Sequence, residues 1–281
     1  MKNIDITVSL TTRNRYNTTL PLCLMSIANQ TYPPKEVILV DDNEKKEFYD
    51  INIFKIILQI FKYKNIVFQY FHGPSKGQTY AQQVAFDHIT TNWILKIDDD
   101  NILENNVLEI LTNTITEKTG AVSGLILNKK DSVREIEYED DLYNKIEDIY
   151  SYFNIQMCGI QDDKVKKVEH IYSNYLFRKD LVDGYPLEFA PAGHREDTVF
   201  TYQIYLKGYD LLINPKSITW HFNEFGGGNK QYNYESNTRN ELKFLEKLKE
   251  WKIVPNKLTL KENSKGVYAV KNKTDYIVYE K

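Results

Sequence analysis

The stretch Trp93-Ile94-Leu95-Lys96-Ile97-Asp98-Asp99-Asp100 decides how this chain is read. A short apolar run ends abruptly in three adjacent carboxylates, as a buried strand does when it delivers charge to the edge of a sheet. Neighbouring negative charges repel one another, so a fold that holds three of them together needs compensation. A divalent cation carrying a diphosphate supplies it, because hard cations prefer carboxylate oxygens and phosphate oxygens complete the shell. A solvated acidic turn is the plainer reading of the same residues, and the rest of the chain has to choose between the two.

Upstream, residues 4–10 alternate and then run apolar, predicting a strand that ends in Thr11-Thr12-Arg13. Residues 20–28 carry helical spacing, with Leu20, Leu24 and Ile27 on one face, and Tyr32-Pro33-Pro34 stops them. A second strand at residues 36–40 ends in Asp41-Asp42-Asn43. A helix over residues 44–61, a strand at 66–70, the loop Gly73-Pro74-Ser75-Lys76-Gly77, and a helix at 80–89 lead into the acidic strand. Beyond it come a helix at 104–116 and a strand at 121–127. Strand and helix alternate with short connections, which predicts an α/β fold with a mostly parallel central sheet covered by helices on both faces. Ligands of such sheets bind at the carboxyl ends of the strands. Three strand ends carry polar clusters, and all three fall on one rim.

The second half is less regular. Residues 129–148 are charged and acidic and read as an exposed, partly helical excursion with a solvated face. Strand-like alternation returns at 165–177. Pro191-Ala192-Gly193-His194-Arg195-Glu196-Asp197 opens a helix through Leu206, ended by Gly208. Short strands at 211–213 and 217–220 place Trp220 in the core. The loop at 222–234, with Gly226-Gly227-Gly228, reads as a lid or a plain connector. A helix over 237–252 and two β-like patches, 266–270 and 276–279, form a C-terminal extension over residues 223–281.

Composition sets broad limits. The 281 residues are 42% hydrophobic and 27% charged, an ordinary balance for a soluble globular protein. A net charge of −3 argues against nucleic acid as a partner, leaving only a local basic patch to attract it. Cys23 and Cys158 make neither a disulfide framework nor a tetrahedral zinc site, and Cys23 sits in an apolar helical pattern. Met1 leads straight into a strand, and the most apolar segment, 51–61, is interrupted by Lys55 and too short to span a bilayer. The expectation is a soluble cytoplasmic protein, or one peripheral to a membrane, with self-association left open.

Four landmarks now stand in order: Val8 to Arg13, the Val37-Ile38-Leu39-Val40-Asp41-Asp42-Asn43 strand end, Lys96-Ile97-Asp98-Asp99-Asp100, and Arg195-Glu196-Asp197 followed by Gly208-Tyr209 and Trp220-His221. In this order they resemble the family 2 glycosyltransferases of the GT-A fold, over about residues 4–221. The resemblance implies a GT-A domain at 1–222, with a nucleotide-binding half (1–101) and an acceptor half (102–222). It implies that Thr11 and Arg13 flank the base and ribose of a nucleotide-sugar, that Asp42 accepts a hydrogen bond from the uracil N3–H, and that Asp98 and Asp99 approach ribose and metal. It further implies that Asp100 binds Mn²⁺ or Mg²⁺, that His221 contacts metal or diphosphate, and that Asp197, beside Glu196, is the general base. Two positions depart from the family pattern. Ala81-Gln82-Gln83 stands where many relatives have Ala-Arg-Asn, leaving Lys76 as a substitute contact, and Arg195 replaces the usual glycine before Glu-Asp.

The implied reaction is inverting transfer of a sugar, from a UDP-sugar by the resemblance, to an acceptor hydroxyl of a glycan or other molecule. The metal would stabilise the leaving diphosphate and Asp197 would take the acceptor proton. Two other readings share the sheet: a catalytically silent nucleotide-sugar-binding or scaffold protein, and a nucleotidyltransferase. The intact Asp100, Glu196 and Asp197 speak against the first. Thr11-Thr12-Arg13-Asn14-Arg15, in place of a glycine-rich loop after the first strand, speaks against the second.

Overall fold

The apolar run after residue 5 becomes β1 (Ile6–Thr12), and the chain then alternates through α1 (Leu20–Ala28), β2 (Glu36–Asp41), a 3₁₀ turn (Phe48–Asp50), α2 (Asn52–Tyr63), β3 (Val67–His72), α3 (Gln78–His88) and β4 (Trp93–Asp98). There follow β5 (Asn101–Leu103), α4 (Val107–Thr114), β6 (Thr119–Asn128), β7 (Lys166–Val168), β8 (Tyr175–Arg178), α5 (Glu196–Leu206), β9 (Asp210–His221) and α6 (Tyr234–Glu250). Three short strands, β10 (Leu260–Glu262), β11 (Tyr268–Lys271) and β12 (Tyr276–Tyr279), make a separate antiparallel meander. This computed structural model describes residues 4–45, 47–128, 164–171, 173–191, 193–222, 234–251, 260–262, 268–271 and 276–279. The acidic excursion at 129–148, Cys158 and the triple-glycine loop lie outside them.

The main sheet has the order β3-β2-β1-β4-β8-β6-β9-β5, with β7 also on β9. β1 to β4 pair parallel, as the alternation predicts. Past β4 the sheet is mixed: β8 runs antiparallel between β4 and β6, and β5 and β7 run antiparallel to β9, while β6 and β9 are parallel. The strands β1, β2, β3, β4, β6 and β9 therefore share one direction. The expected mostly parallel sheet is corrected only by reversed strands in its second half, whose direction is set by connections that periodicity does not report.

Residues Val37 and Leu39 of β2 pack with Ile6, Val8, Leu10, Leu95 and Ile97 into one apolar cluster, joined by Leu24 and Ile27 of α1, Phe54 and Phe61 of α2, and Leu108 and Leu111 of α4. The alternate residues Ile38 and Val40 join a second cluster with Ile94 and Phe177, covered by Ala81 and Ala85 of α3 and Phe200 and Ile204 of α5. Strand side chains alternate between faces, so helices on both sides demand the near-continuous apolar runs seen in the sequence.

Three expectations change locally. The helix expected over 44–61 is the 3₁₀ turn followed by α2. The two short strands at 211–213 and 217–220 are one strand, β9, which carries Pro215 through a register shift against β6 between Ser123 and Leu125. Proline has no N–H for the ladder, so pairing has to break there. Trp220 is not core: it is 43% exposed, and its indole N–H donates to Glu104 Oε1 at 2.6 Å.

The C-terminal helix is docked. Asn240, Phe244 and Leu248 form a buried stripe at four-residue spacing on α6. Asn240 Nδ2 donates to the carbonyls of Phe189 (2.7 Å) and His194 (3.0 Å), and Trp251 stacks on Tyr202 of α5. Among the described residues, no helix is long and apolar enough to cross a membrane.

Candidate active site

The parallel strands bring their carboxyl ends to one cleft of about 200 Å³. Thr11, Thr12, Arg13 and Arg15 line it from the end of β1, Asp42 from β2, Gly77 and Gln78 from the start of α3, Asp98, Asp99 and Asp100 from β4, and His221 from β9. Residues far apart in the chain meet because the crossovers return each strand to the same edge.

Asp41 and Asp42 divide their work. Asp41 is fully buried and accepts hydrogen bonds from the hydroxyls of Tyr16 and Tyr70, and from the backbone N–H (2.9 Å) and side-chain amide (2.7 Å) of Asn43. It closes the turn. Asp42 faces the loop after β3 and accepts the backbone N–H groups of Ser75 (2.6 Å) and Gly77 (3.2 Å). A Cβ at Gly73 would sit 2.5 Å from Asp42 Oδ1, so glycine is what lets the loop close on the carboxylate. Lys76 is exposed on this loop, its ammonium 5.6 Å from the Tyr80 ring, and it does not line the cleft. Gln82, at the departure from the family pattern, is buried and does not line it either.

At the acidic end, compensation comes first from within the chain. Asn14, at φ 59°, bends the loop so that Arg15 turns back under the rim. Its Nε lies 3.3 Å from Asp99 Oδ1 and its Nη1 3.2 Å from Asp100 Oδ2, while Thr12 Oγ1 donates to Asp99 Oδ2 at 2.7 Å. Burial still pushes the Asp99 carboxyl from 3.8 up to about 7, against the downward pull of Arg15 and Thr12. His221 reaches Asp100 because β5, too short to read from the sequence, pairs Asn101 with His221 on β9. His221 Nε2 stands 3.4 Å from Asp100 Oδ2. Burial pulls its imidazole pKa down, but the bond to Asp100 and the nearby carboxylates outweigh that and raise it.

Asp100 and His221 are the pair that would hold a divalent ion. Adjacent ligands of an octahedral ion at 2.0–2.1 Å are about 3 Å apart, near the 3.4 Å between Asp100 and His221. Among the described residues no three His, Cys, Asp or Glu side chains converge on one point. A metal here would take two protein donors and complete its shell from substrate phosphates and water.

Asp197 and Glu196 do not line the cleft; they stand behind it in the first turn of α5. Asp197 is 8% exposed, and both of its oxygens are engaged. Oδ1 accepts the Tyr175 hydroxyl at 2.8 Å, and Oδ2 accepts the Ser173 N–H at 2.9 Å and the Lys96 ammonium at 3.0 Å. Lys96 also lies 2.9 Å from Asp98 Oδ1, which accepts Gln78 Nε2 at 3.0 Å as well. Burial and the charge of Asp197 raise the Glu196 pKa, with Lys96 opposing. Before the helix, Arg195 takes φ 72°, a conformation glycine adopts without strain, and its guanidinium lies over the Phe244 ring of α6 at 5.1 Å.

Sequence reasoning assigned no role to Arg15, Lys96, Gln78, Ser173 or Tyr175. Lys96 had a signal: it is the one charge in the apolar run 93–97, and two-residue periodicity puts it on the face of Asp98. Arg15 had only its closeness to the polar loop. Ser173 and Tyr175 had none, because β8 enters beside β4 only in the folded chain.

The sequence model of the family described as "Glycosyl transferase family 2" matches residues 7–182, well over half of the chain. An uncharacterized glycosyltransferase of Rickettsia bellii (strain RML369-C) is 23% identical over 191 residues, covering 66% of this chain and 25% of that protein. This chain therefore spans about a quarter of that relative's length. The fold is similar to that of GalNAc-T7, solved with UDP, GalNAc and Mn²⁺ (TM-score 0.60, 15% identity, 86% of this chain and 48% of that one). It is also similar to S. aureus TarS 1-349 in complex with UDP-GlcNAc (TM-score 0.58, 17% identity, 87% and 67%). The strand order, the acidic rim and the family match agree: the chain belongs to glycosyltransferase family 2.

Proposed function

We propose that this chain is a metal-dependent, inverting glycosyltransferase that moves a sugar from a UDP-sugar to an acceptor hydroxyl in glycan synthesis. One observation carries the reading: a single cleft holds Asp42 at one strand end and the Asp98–Asp100 carboxylates with His221 at another. Those are the polar groups that a base, a ribose and a diphosphate need in that order. The two structural relatives named above were solved with UDP or UDP-GlcNAc, which favours UDP as the nucleotide.

Thr11, Arg13 and Asp42 hold the base and ribose, Asp98 and Asp99 orient the ribose and the metal side, and Lys76, on the exposed loop outside the cleft lining, substitutes for the base contact that Ala81-Gln82-Gln83 lacks. Asp100 and His221 would hold Mn²⁺ or Mg²⁺, which would supply Lewis-acid stabilisation of the leaving diphosphate. Arg15 keeps the neighbouring carboxylates compensated. Asp197 takes the proton of the acceptor hydroxyl, an effect ordinarily worth about 10²–10⁴-fold, and Glu196 shapes its surroundings. This reading assigns one base and, among the described residues, no nucleophile to the sugar, so it has attack coming from the face opposite the leaving group and inverting the anomeric centre. The C-terminal extension, through α6, holds the segment before α5 and so shapes the acceptor side.

A thermal-shift panel of nucleotides and nucleotide-sugars tests this. UDP with Mn²⁺ is expected to raise the melting temperature, since a ligand at 100 times its Kd stabilises by about 2.7 kcal/mol. Chelator, or Asp100→Ala, is expected to remove the shift. A shift from purine nucleotides alone, or one indifferent to chelator, contradicts the reading. Retention of configuration in the product, seen by NMR, rejects inversion.

A further inference from the structure

Lys96 is 2% exposed and lies within 3.0 Å of carboxylates that come from separate parts of the site. Asp98 lines the cleft; Asp197 does not, and it lies 101 residues along the chain from Lys96. Ser173 spans the same pair without charge, its N–H on Asp197 (2.9 Å) and its hydroxyl on Asp98 (3.1 Å). Stability does not explain a buried ammonium here. Desolvation costs several kcal/mol per ion, and an apolar side chain of similar volume in place of a buried ion pair is often neutral or stabilising. The flanking strand residues Leu95 and Ile97 are such side chains.

We propose that Lys96 is a positioning residue that couples the nucleotide end of the site to the acceptor end by sharing one ammonium between Asp98 and Asp197. This rests on the nucleotide-sugar reading above. A nucleotide hydroxyl that bonds to Asp98 competes with Lys96 for that carboxylate, and the ammonium then commits to Asp197, fixing its orientation toward the acceptor. In the other direction, a neutral side chain at position 197 releases the ammonium wholly to Asp98, which then accepts the nucleotide less well. Coupling of this kind is reciprocal in binding free energy, so either end reports it.

The test is a double-mutant cycle on the full chain, read as UDP affinity by calorimetry with Mn²⁺ present. Asp197→Asn, though outside the cleft, is expected to weaken UDP about fivefold or more, the lower end of ordinary coupling between sites. With Lys96→Met in the background, the same substitution is expected to change UDP affinity less than about twofold, the signature of a lost pairwise interaction. Lys96→Arg is expected to restore the larger effect. An ion pair that only holds the fold would lower melting temperatures and leave no coupling in UDP affinity. If Asp197→Asn leaves UDP binding unchanged, or changes it equally with and without Lys96, the proposal is overturned. Should Lys96→Met fail to fold, Lys96→Gln takes its place with the same two outcomes. Failure of the unsubstituted protein to bind UDP instead overturns the nucleotide reading itself, and is seen before any variant is made.

Discussion

Burial sets the protonation of the buried carboxyls Asp99 and Glu196 more than their neighbours do. Asp99 has an arginine and a threonine hydroxyl on its carboxylate and is still pushed up to about 7. Burial also raises Glu196, and the bond to Asp100 raises His221 against its burial. In each case the folded state binds its proton more tightly than the unfolded chain does. Stability from these groups is fully present below their unfolded pKa values and is lost as pH rises through the folded ones. In chelator, the melting temperature is therefore expected to fall as pH is raised from about 4 to 7, the window set by Asp99. Asp99→Asn is expected to flatten that slope; a profile rising with pH, or an unchanged slope in the variant, would contradict it. At this scale Asp98, Asp99 and Asp100 announce themselves in the sequence by their adjacency. Arg15, which pairs with Asp99 and Asp100, does not, because pairing between distant segments leaves no local pattern; Lys96 shows only as a charge inside an apolar run.

At the scale of elements, the β6–β9 pair shows how a connection is fitted. Gly124 lies where β9 carries Pro215 across the ladder, and a Cβ there would sit 2.0 Å from the Ser217 carbonyl oxygen, a backbone atom that cannot swing aside. Gly208, after α5, has φ 83°, and a Cβ there would meet nothing within 4 Å, so a substitution faces backbone strain alone. Gly124→Ala is expected to cost about 3 kcal/mol or more, beyond the upper range of ordinary overpacking. Gly208→Ala should cost about 1–2 kcal/mol, the strain of a left-handed alanine. Urea denaturation of both variants checks the order, and equal costs would show that the strand pair yields. The sequence marks Gly208 as a helix end; it marks nothing at Gly124, whose constraint is the opposite strand. β5 escaped for a related reason: three residues carry too little periodicity to register, yet this strand brings His221 to Asp100.

For the whole molecule, α6 ties the chain after β9 to the segment ahead of the acidic pair of α5. Asn240 is fully buried and holds two carbonyls of the segment ahead of that helix, while Phe244 lies under Arg195. Asn240→Ala leaves both acceptors without that donor, at about 1–3 kcal/mol for a buried group left unsatisfied. The expected result is a lower melting temperature and faster amide exchange over residues 193–198. Loss of stability without faster exchange there would show that α6 does not hold the segment. The helix was legible in the sequence; where it docks was not, because an apolar face identifies a buried side and not its partner.

The alternation of strands and helices, the parallel half of the sheet, and the polar clusters at three strand ends are all present in the amino-acid order alone. Each is written in local periodicity and in residues a few positions apart, and short crossovers leave a parallel sheet little freedom in how to order them. The reversed strands, the short strand that delivers His221, and the burial of Lys96 between Asp98 and Asp197 arise only once the chain has folded. Those depend on long-range pairing, where the free energy of a contact is set by what surrounds it once water has been excluded.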